Sequence, residues 1–264
     1  MHKAMSISAI LPRFLALAVC ALLPGFAYAQ STNSVVIWPI NPVIESGERA
    51  TPLRLENPGK APILMQIRIF GWQQIDGEDR FVEQKDVTGT PPMVRIEAGQ
   101  QQLIRLTRIA PSPAGTEQSY RIIIDEIPQA AAAAPTETGE PGQLAGAAIQ
   151  FRMRYSVPLF TYGEGADIAP AKKQAAVKPA LQWRVIKADG ATQLEIRNPG
   201  ATHSRLAGVV MKSAGASTKV EGAHGYILAG ATMRFAITQA IAPQASLFAE
   251  VEGDPSAPMA PWQP

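Results

Sequence analysis

Cysteine is all but missing from this chain of 264 residues: Cys20 is the only one, and it lies in an apolar run near the start. A single thiol excludes an internal disulfide and any thiolate metal cluster. Histidine is nearly as scarce. His2, His203 and His224 are the only three, and neither of the later two has partners at metal-ligand or catalytic-triad spacing, so both are expected in solvated loops. An excess of one charge is missing too: 24 Lys and Arg stand against 22 Asp and Glu, a formal net charge of +2, which excludes a nucleic-acid binder working through a strongly basic face. The apolar run Phe14–Leu23 is too short to span a bilayer as a stable anchor, so no stable membrane insertion is expected. The chain holds neither a Gly-rich phosphate loop nor a G-x-S-x-G elbow, and its acidic residues fall mostly at turns, as at Asp76, Glu78 and Asp79. No enzyme activity, cofactor or metal is expected.

The chain opens with the pattern of a cleaved leader. His2, Lys3 and Arg13 make a positive start, Phe14–Leu23 is apolar, Pro24 and Gly25 break the run, and Ala27-Tyr28-Ala29 has the small-x-small form of a signal-peptidase site. Residues 1–29 are therefore expected to be removed. The leader holds Lys3 and Arg13 and no acidic residue, so the mature chain would have as many acidic side chains as basic ones. It would also lack cysteine altogether and depend on core burial for stability.

With aromatics at only 6% but 23 prolines and 21 glycines, short strands and turns are favoured over helices. Extended segments follow one another closely: Ser34–Trp38, Pro52–Glu56, Ile63–Trp72, Met93–Ile96, Gln102–Arg108 and Tyr120–Ile127. The third alternates clearly, with Ile63, Met65, Ile67 and Ile69 on one face, between the turn signals Asn57-Pro58-Gly59 and Asp76-Gly77. Gln129–Gly146 has little apolar surface and is expected to be a mobile loop. Alternation resumes at Ala147–Tyr155, with Ala147, Ile149, Phe151 and Met153 opposite Gln150, Arg152 and Arg154. Pro158–Pro179 has the composition of a connection, and a second set of strands follows: Leu181–Lys187, Gln193–Arg197, Gly208–Met211, Tyr226–Leu228, Thr232–Ile237 and Ser246–Glu250. The tail from Asp254, with prolines at 255, 258, 261 and 264, is expected to be loose. The pattern is all-β: two β-sandwiches joined by a short hinge, the first over 30–157 and the second over 158–264.

Four blocks, in order, carry a family resemblance. Thr90-Pro91-Pro92-Met93-Val94-Arg95-Ile96-Glu97-Ala98-Gly99 followed by Gln102-Leu103-Ile104-Arg105-Leu106 resembles the most recognisable stretch of the periplasmic pilus-assembly chaperones. Tyr120–Pro128 resembles that family's apolar strand closing in Glu-Ile-Pro, and Phe151–Tyr155 with Pro158 its long basic strand before the hinge. Leu194–Pro199 is similar to the Asn-Pro turn of its second domain. Val36–Pro39 and Val157–Phe160 look most like the archaic, spore-coat-type branch.

The resemblance implies two immunoglobulin-like domains and a periplasmic chaperone of the chaperone-usher pathway. Such a protein caps pilus subunits, which are immunoglobulin-like folds lacking a strand, and delivers them to an outer-membrane usher. The donor side chains would be Ala147, Ile149, Phe151 and Met153. Strand addition of this kind follows from edge-strand chemistry: the backbone supplies the ladder and alternate side chains fill a groove. Three large apolar donors contribute about 5–9 kcal/mol gross, at roughly 1.5–3 kcal/mol each. The same exposed face invites self-association when no subunit is bound. The alternative, a structural or adhesive subunit of a surface fibre, fits less well with two domains and a mid-chain donor strand.

The resemblance also implies two cations that hold the subunit's terminal carboxylate. Arg152 stands at one position, with Arg154 one register away; the other position, on the first strand, holds Asn41 here. Arg121, on the neighbouring strand, is the proposed substitute. Arg121 and Arg154 have a plainer alternative, as surface charges paired with Asp125 or Glu126. The leader sets the first prediction. Intact-mass measurement of periplasmic protein is expected to give a chain starting at Gln30 whose thermal midpoint does not move with reductant; a retained N-terminus would overturn the secretion argument.

Overall fold

The computed structural model describes residues 34–128, 152–166, 181–188, 190–238, 240–242, 244–251 and 254–262, and all their regular elements are strands. In chain order the first ten are β1 (Val36–Trp38), β2 (Val43–Ile44), β3 (Ala50–Glu56), β4 (Ile63–Ile75), β5 (Glu78–Val82), β6 (Val87–Thr90), β7 (Met93–Ile96), β8 (Gln101–Arg108), β9 (Glu117–Ile127) and β10 (Arg154–Tyr162). The rest are β11 (Gln182–Ala188), β12 (Ala191–Arg197), β13 (Ser204–Ser213), β14 (Ala216–Val220), β15 (Gly225–Ile227), β16 (Thr232–Ala236), β17 (Ser246–Val251), β18 (Asp254–Pro258) and β19 (Ala260–Pro261). They form two successive sandwiches. The first packs the sheet β1-β3-β8-β6 on the sheet β2-β10-β9-β4-β5, where β7 also pairs with β4. The second packs β16-β12-β11-β19 on β14-β13-β17-β18, with β15 beside β13.

Period-two alternation builds both interiors. Leu53 and Leu55 of β3, Ile63, Met65 and Ile67 of β4, Ile104 and Leu106 of β8, Ile122 and Ile124 of β9, and Val157 and Leu159 of β10 form one buried cluster. Leu194, Ile196, Leu206, Val209, Phe235 and Leu247 anchor the other. A third cluster, Trp72, Phe160, Tyr162, Ala166 and Leu228, lies where the sandwiches meet.

The two Asn-Pro-Gly turns are closed by the same device. The Asn57 amide donates to the carbonyls of Ala61 (2.8 Å) and Ile96 (3.0 Å), while its oxygen accepts the Gly59 N–H. The Asn198 amide donates to Thr202 (2.7 Å) and Ile227 (3.0 Å), and its oxygen accepts the Gly200 N–H. Both asparagines are buried.

Two expectations need correction, and both turn on proline at sheet edges. The first sandwich does not end at Val157: β10 stays paired with β9 as far as Tyr162. Pro158 interrupts nothing, because a missing N–H costs little where no second strand needs it. The tail from Asp254 is not loose either. β18 pairs with β17, β19 runs parallel to β11, and Met259 is buried between them in sequence. The Trp262 N–H donates to the Trp183 carbonyl at 2.6 Å, and its ring lies 3.9 Å from the Arg184 guanidinium. The expected loop Gln129–Gly146 and the donor residues Ala147, Ile149 and Phe151 lie outside the described residues. Of the donor set Met153 alone is described, ahead of β10 and 40% exposed.

The paired turns set the second prediction. Asn57→Ala and Asn198→Ala each orphan buried backbone groups and are expected to lower stability by about 2–4 kcal/mol, by denaturant titration. A loss below about 0.5 kcal/mol for either would show that its turn closes without the side chain.

Candidate functional site

The feature with chemical consequence is an unpaired strand edge. β10 is bonded to β9 along its whole length, from Arg154 opposite Asp125 to Tyr162 opposite Glu117. On its other side β2 covers only Phe160 and Thr161. Among the described residues no strand lies against the outer edge of β10 from Arg154 to Leu159. Open N–H and C=O groups along such an edge are a template for an added strand.

The outer face of this sheet carries arginines in successive rows. Phe70, Arg121 and Pro158 lie across from one another on β4, β9 and β10; next come Arg68, Ile123 and Ser156, then Gln66, Asp125 and Arg154. Alternation puts Arg121, Ile123 and Asp125 on the face opposite the buried Ile122 and Ile124. The Arg121 guanidinium is 3.6 Å from the Trp72 ring centroid and 5.5 Å from that of Tyr226, which belongs to the second sandwich. Its Nε is buried without a hydrogen-bond partner. Burial lowers its pKa, against the opposing pull of Asp79 and Tyr226, yet an arginine remains a cation. Asp125 is bonded on both oxygens, by Arg154 Nε and, at 2.7 Å, by Arg68 Nη2. Burial would raise its pKa, but the hydrogen bonds and charges of Arg154 and Arg68 together outweigh that and hold the carboxyl below its usual range. Arg152 is exposed just before β10. The structure places Arg121 and Arg154 on one face but pairs Arg154 with Asp125, as the plainer alternative had it, and leaves Arg152 ahead of the strand. It adds Arg68, which drew no notice because its only sequence signal is a polar place in an alternating strand.

The junction below this face is a built contact. The Glu117 carboxylate accepts the His203 N–H at 3.0 Å and meets His203 Nδ1 at 2.8 Å, while the His203 ring stacks on Phe160 with centroids 3.6 Å apart. His203 is therefore not a solvated loop residue, as expected, but a link between sandwiches. Its partner lies 86 residues away in the chain, where no local motif reveals it. His224 is exposed, as expected of a loop histidine. Gln74 adds a two-way amide contact, donating to the Tyr226 carbonyl (2.8 Å) and accepting the Leu228 N–H (2.9 Å). The hairpin tip closes the contact: the Arg234 N–H donates to the Gly77 carbonyl at 3.1 Å. Gly77 has φ of 82°, and a Cβ there would fall 2.4 Å from Arg234 Cγ, so the tip tolerates no side chain. Arg234 is itself held by buried Glu195, which also takes Arg184.

The protein is thus two linked immunoglobulin-like sandwiches, the first with a last strand whose outer edge is mostly unpaired among the described residues, beside a face that carries arginines. Residues 34–165 match the family model described as pili and flagellar-assembly chaperone, PapD N-terminal domain. The chain belongs to that family. It is 32% identical, with a TM-score of 0.68, to a chain of the CsuC-CsuE chaperone-tip adhesion subunit pre-assembly complex from archaic chaperone-usher Csu pili of Acinetobacter baumannii, covering 87% of this chain and 100% of that one. It is 28% identical over 177 residues to the probable fimbrial chaperone YadV of Escherichia coli (strain K12), a match spanning 65% of each protein. The fold is shared with the Salmonella enterica SafA pilin–SafB chaperone complex, at 18% identity and a TM-score of 0.54 over 87% of this chain and 95% of that one.

Asp125 sets the third prediction. Its carboxyl is lowered from the ordinary 3.8, so its contribution to stability is present above that value and is lost as pH falls through the lower folded-state value. Acid unfolding followed by circular dichroism is expected to lose part of its dependence between about pH 4 and pH 2 in Asp125→Asn. An unchanged acid limb would mean that the ion pair contributes nothing.

Proposed function

We propose that this chain is a periplasmic chaperone that folds and caps pilus subunits by lending them a strand, then delivers them to an outer-membrane usher. One observation carries the reading: among the described residues, β10 is bonded on one side only from Arg154 to Leu159. Its backward continuation holds the alternating Ala147, Ile149, Phe151 and Met153. A subunit strand laid along this edge would gain a backbone ladder from β10 and an apolar filling from the donor residues. The exchange needs no nucleotide, since burial and backbone pairing supply the affinity.

The cationic face completes the reading. Arg154 lies on the open strand itself, Arg152 just ahead of it and Arg121 deeper, under the ring of Trp72. Between them they supply the guanidinium groups that a terminal carboxylate needs, and Asn41 need not be replaced by a cation. The leader-like pattern expected at residues 1–29 and the family together support a periplasmic site of action.

Hydrogen exchange on free and subunit-bound protein tests the donor strand and is the fourth prediction. Amides of residues 144–153 are expected to gain protection on binding. Phe151→Asp is expected to abolish co-purification of subunit, because an unpaired charge would enter the subunit's groove, while leaving the melting profile unchanged. Equal protection in both states would overturn this placement of the donor strand.

A further inference from the structure

We infer that residues 260–262, near the end of the chain, control how firmly the two sandwiches are joined. Docked on β11, they steady a row of charges to which the Gly77 tip of the first sandwich is tied. The inference goes beyond the strand-addition reading and does not depend on it. The row crosses the outer face of the second sandwich, opposite the buried Leu194 and Ile196. Register sets Arg234 of β16 opposite Glu195 of β12, and Glu195 opposite Arg184 of β11. Trp262, just past β19, then lies over Arg184.

Glu195 is the fixed point of the row. Its side chain is 3% exposed, whereas those of Arg184 and Arg234 are 34% and 37% exposed. One carboxylate oxygen takes Arg184 Nε, and the other takes Arg234 Nε at 2.9 Å. A carboxylate so far out of water depends on both partners, so neither guanidinium shifts without changing the hold on the other. Trp262 covers one end. Its ring centroid is 3.9 Å from the Arg184 guanidinium and 5.5 Å from that of Arg197, and its N–H donates to the Trp183 carbonyl. A ring stacked there is attracted to the cation and keeps water off the ion pair beneath it.

The other end of the row reaches the first sandwich. The stem of Arg234 lies against the Gly77 backbone, and the Arg234 N–H donates to the Gly77 carbonyl. Gly77 joins β4 to β5. β5 carries Asp79, whose carboxylate accepts the Trp72 indole N–H at 2.8 Å, and Arg121 stacks on that indole. One hairpin therefore connects the row to the cationic face. β19 is only two residues long and lies at a sheet edge, so its docking is the link that opens first. Once it leaves, water reaches Arg184, Glu195 draws harder on Arg234, and the tip resting on that side chain loosens.

The test uses the full mature chain and reads hydrogen exchange at single amides. Trp262→Ala, and a chain ending at Met259, are each expected to speed exchange of the Arg234 amide about five- to tenfold. The β13–β17 ladder, which lies outside the row, should not change. Trp262→Phe keeps a ring over Arg184 and should hold the Arg234 amide near its wild-type rate. Coupling is reciprocal: Gly77→Ala, whose methyl would strike the Arg234 stem, should speed the Trp262 amide by a similar factor. With Arg184→Met and Glu195→Gln together, the link is gone, and Trp262→Ala should add nothing at Arg234. Unchanged Arg234 exchange in the folded tail variants overturns the inference, and so does an equal rise in the β13–β17 ladder, which would mean general loosening. If the tail variants unfold, Gly77→Ala decides: an unchanged Trp262 amide there overturns it. None of these outcomes bears on strand addition at β10.

Discussion

The side chains of β10 alternate between two apolar clusters, and the arrangement of the first sandwich and its junction follows from that alternation. Val157 and Leu159 point into the interior with Ile122 and Ile124 of β9, while Phe160 and Tyr162 join Trp72 and Leu228 at the meeting of the sandwiches. A strand tied down by both clusters is held rigidly along β9 even though its other edge is mostly unpaired. That rigidity suits a strand to lend its edge: the ordering cost has been met before any partner arrives.

Carboxylates that are buried, or nearly so in the case of Asp125, organise the polar parts in a consistent way. Glu117, Asp125 and Glu195 each lie under or between donors from other strands. Glu117 takes the backbone and ring of His203, Asp125 takes Arg68 and Arg154, and Glu195 takes Arg184 and Arg234. A carboxylate out of water is tolerable only when its oxygens are bonded. Each acid therefore dictates the position of two donors, and two of the three clusters bear on the junction: Glu117 through His203, and Glu195 through Arg234, against which the Gly77 tip rests.

Much of the architecture was legible because it is local. Ile63, Met65 and Ile67 announce their face by spacing alone, and they are buried as a set. Asn57-Pro58-Gly59 and Asn198-Pro199-Gly200 announce turns through side-chain bonding to residues only two to four positions away. The strands that escaped notice, such as β5 and β14, are exposed along nearly their whole length and so show no apolar alternation. Proline misled in two places for one reason. Pro158 and Pro255, Pro258 and Pro261 of the tail sit on edge strands, where a missing N–H breaks no ladder, and composition does not reveal which strand is an edge.

The sequence by itself determined the all-β class, the two-sandwich order and the turn positions, since each is written in residues a few places apart. Tertiary structure alone decided which polar residues act together. Asp125 meets Arg68 across 57 positions and Glu117 meets His203 across 86, separations over which no periodicity carries information. Whether Arg121 lies in solvent or against an aromatic ring, and whether Arg154 is a lone surface charge or paired with Asp125, depends on sheet register. Register is set by the packing of entire strands against the core, because a slip of one residue would turn every buried side chain outward.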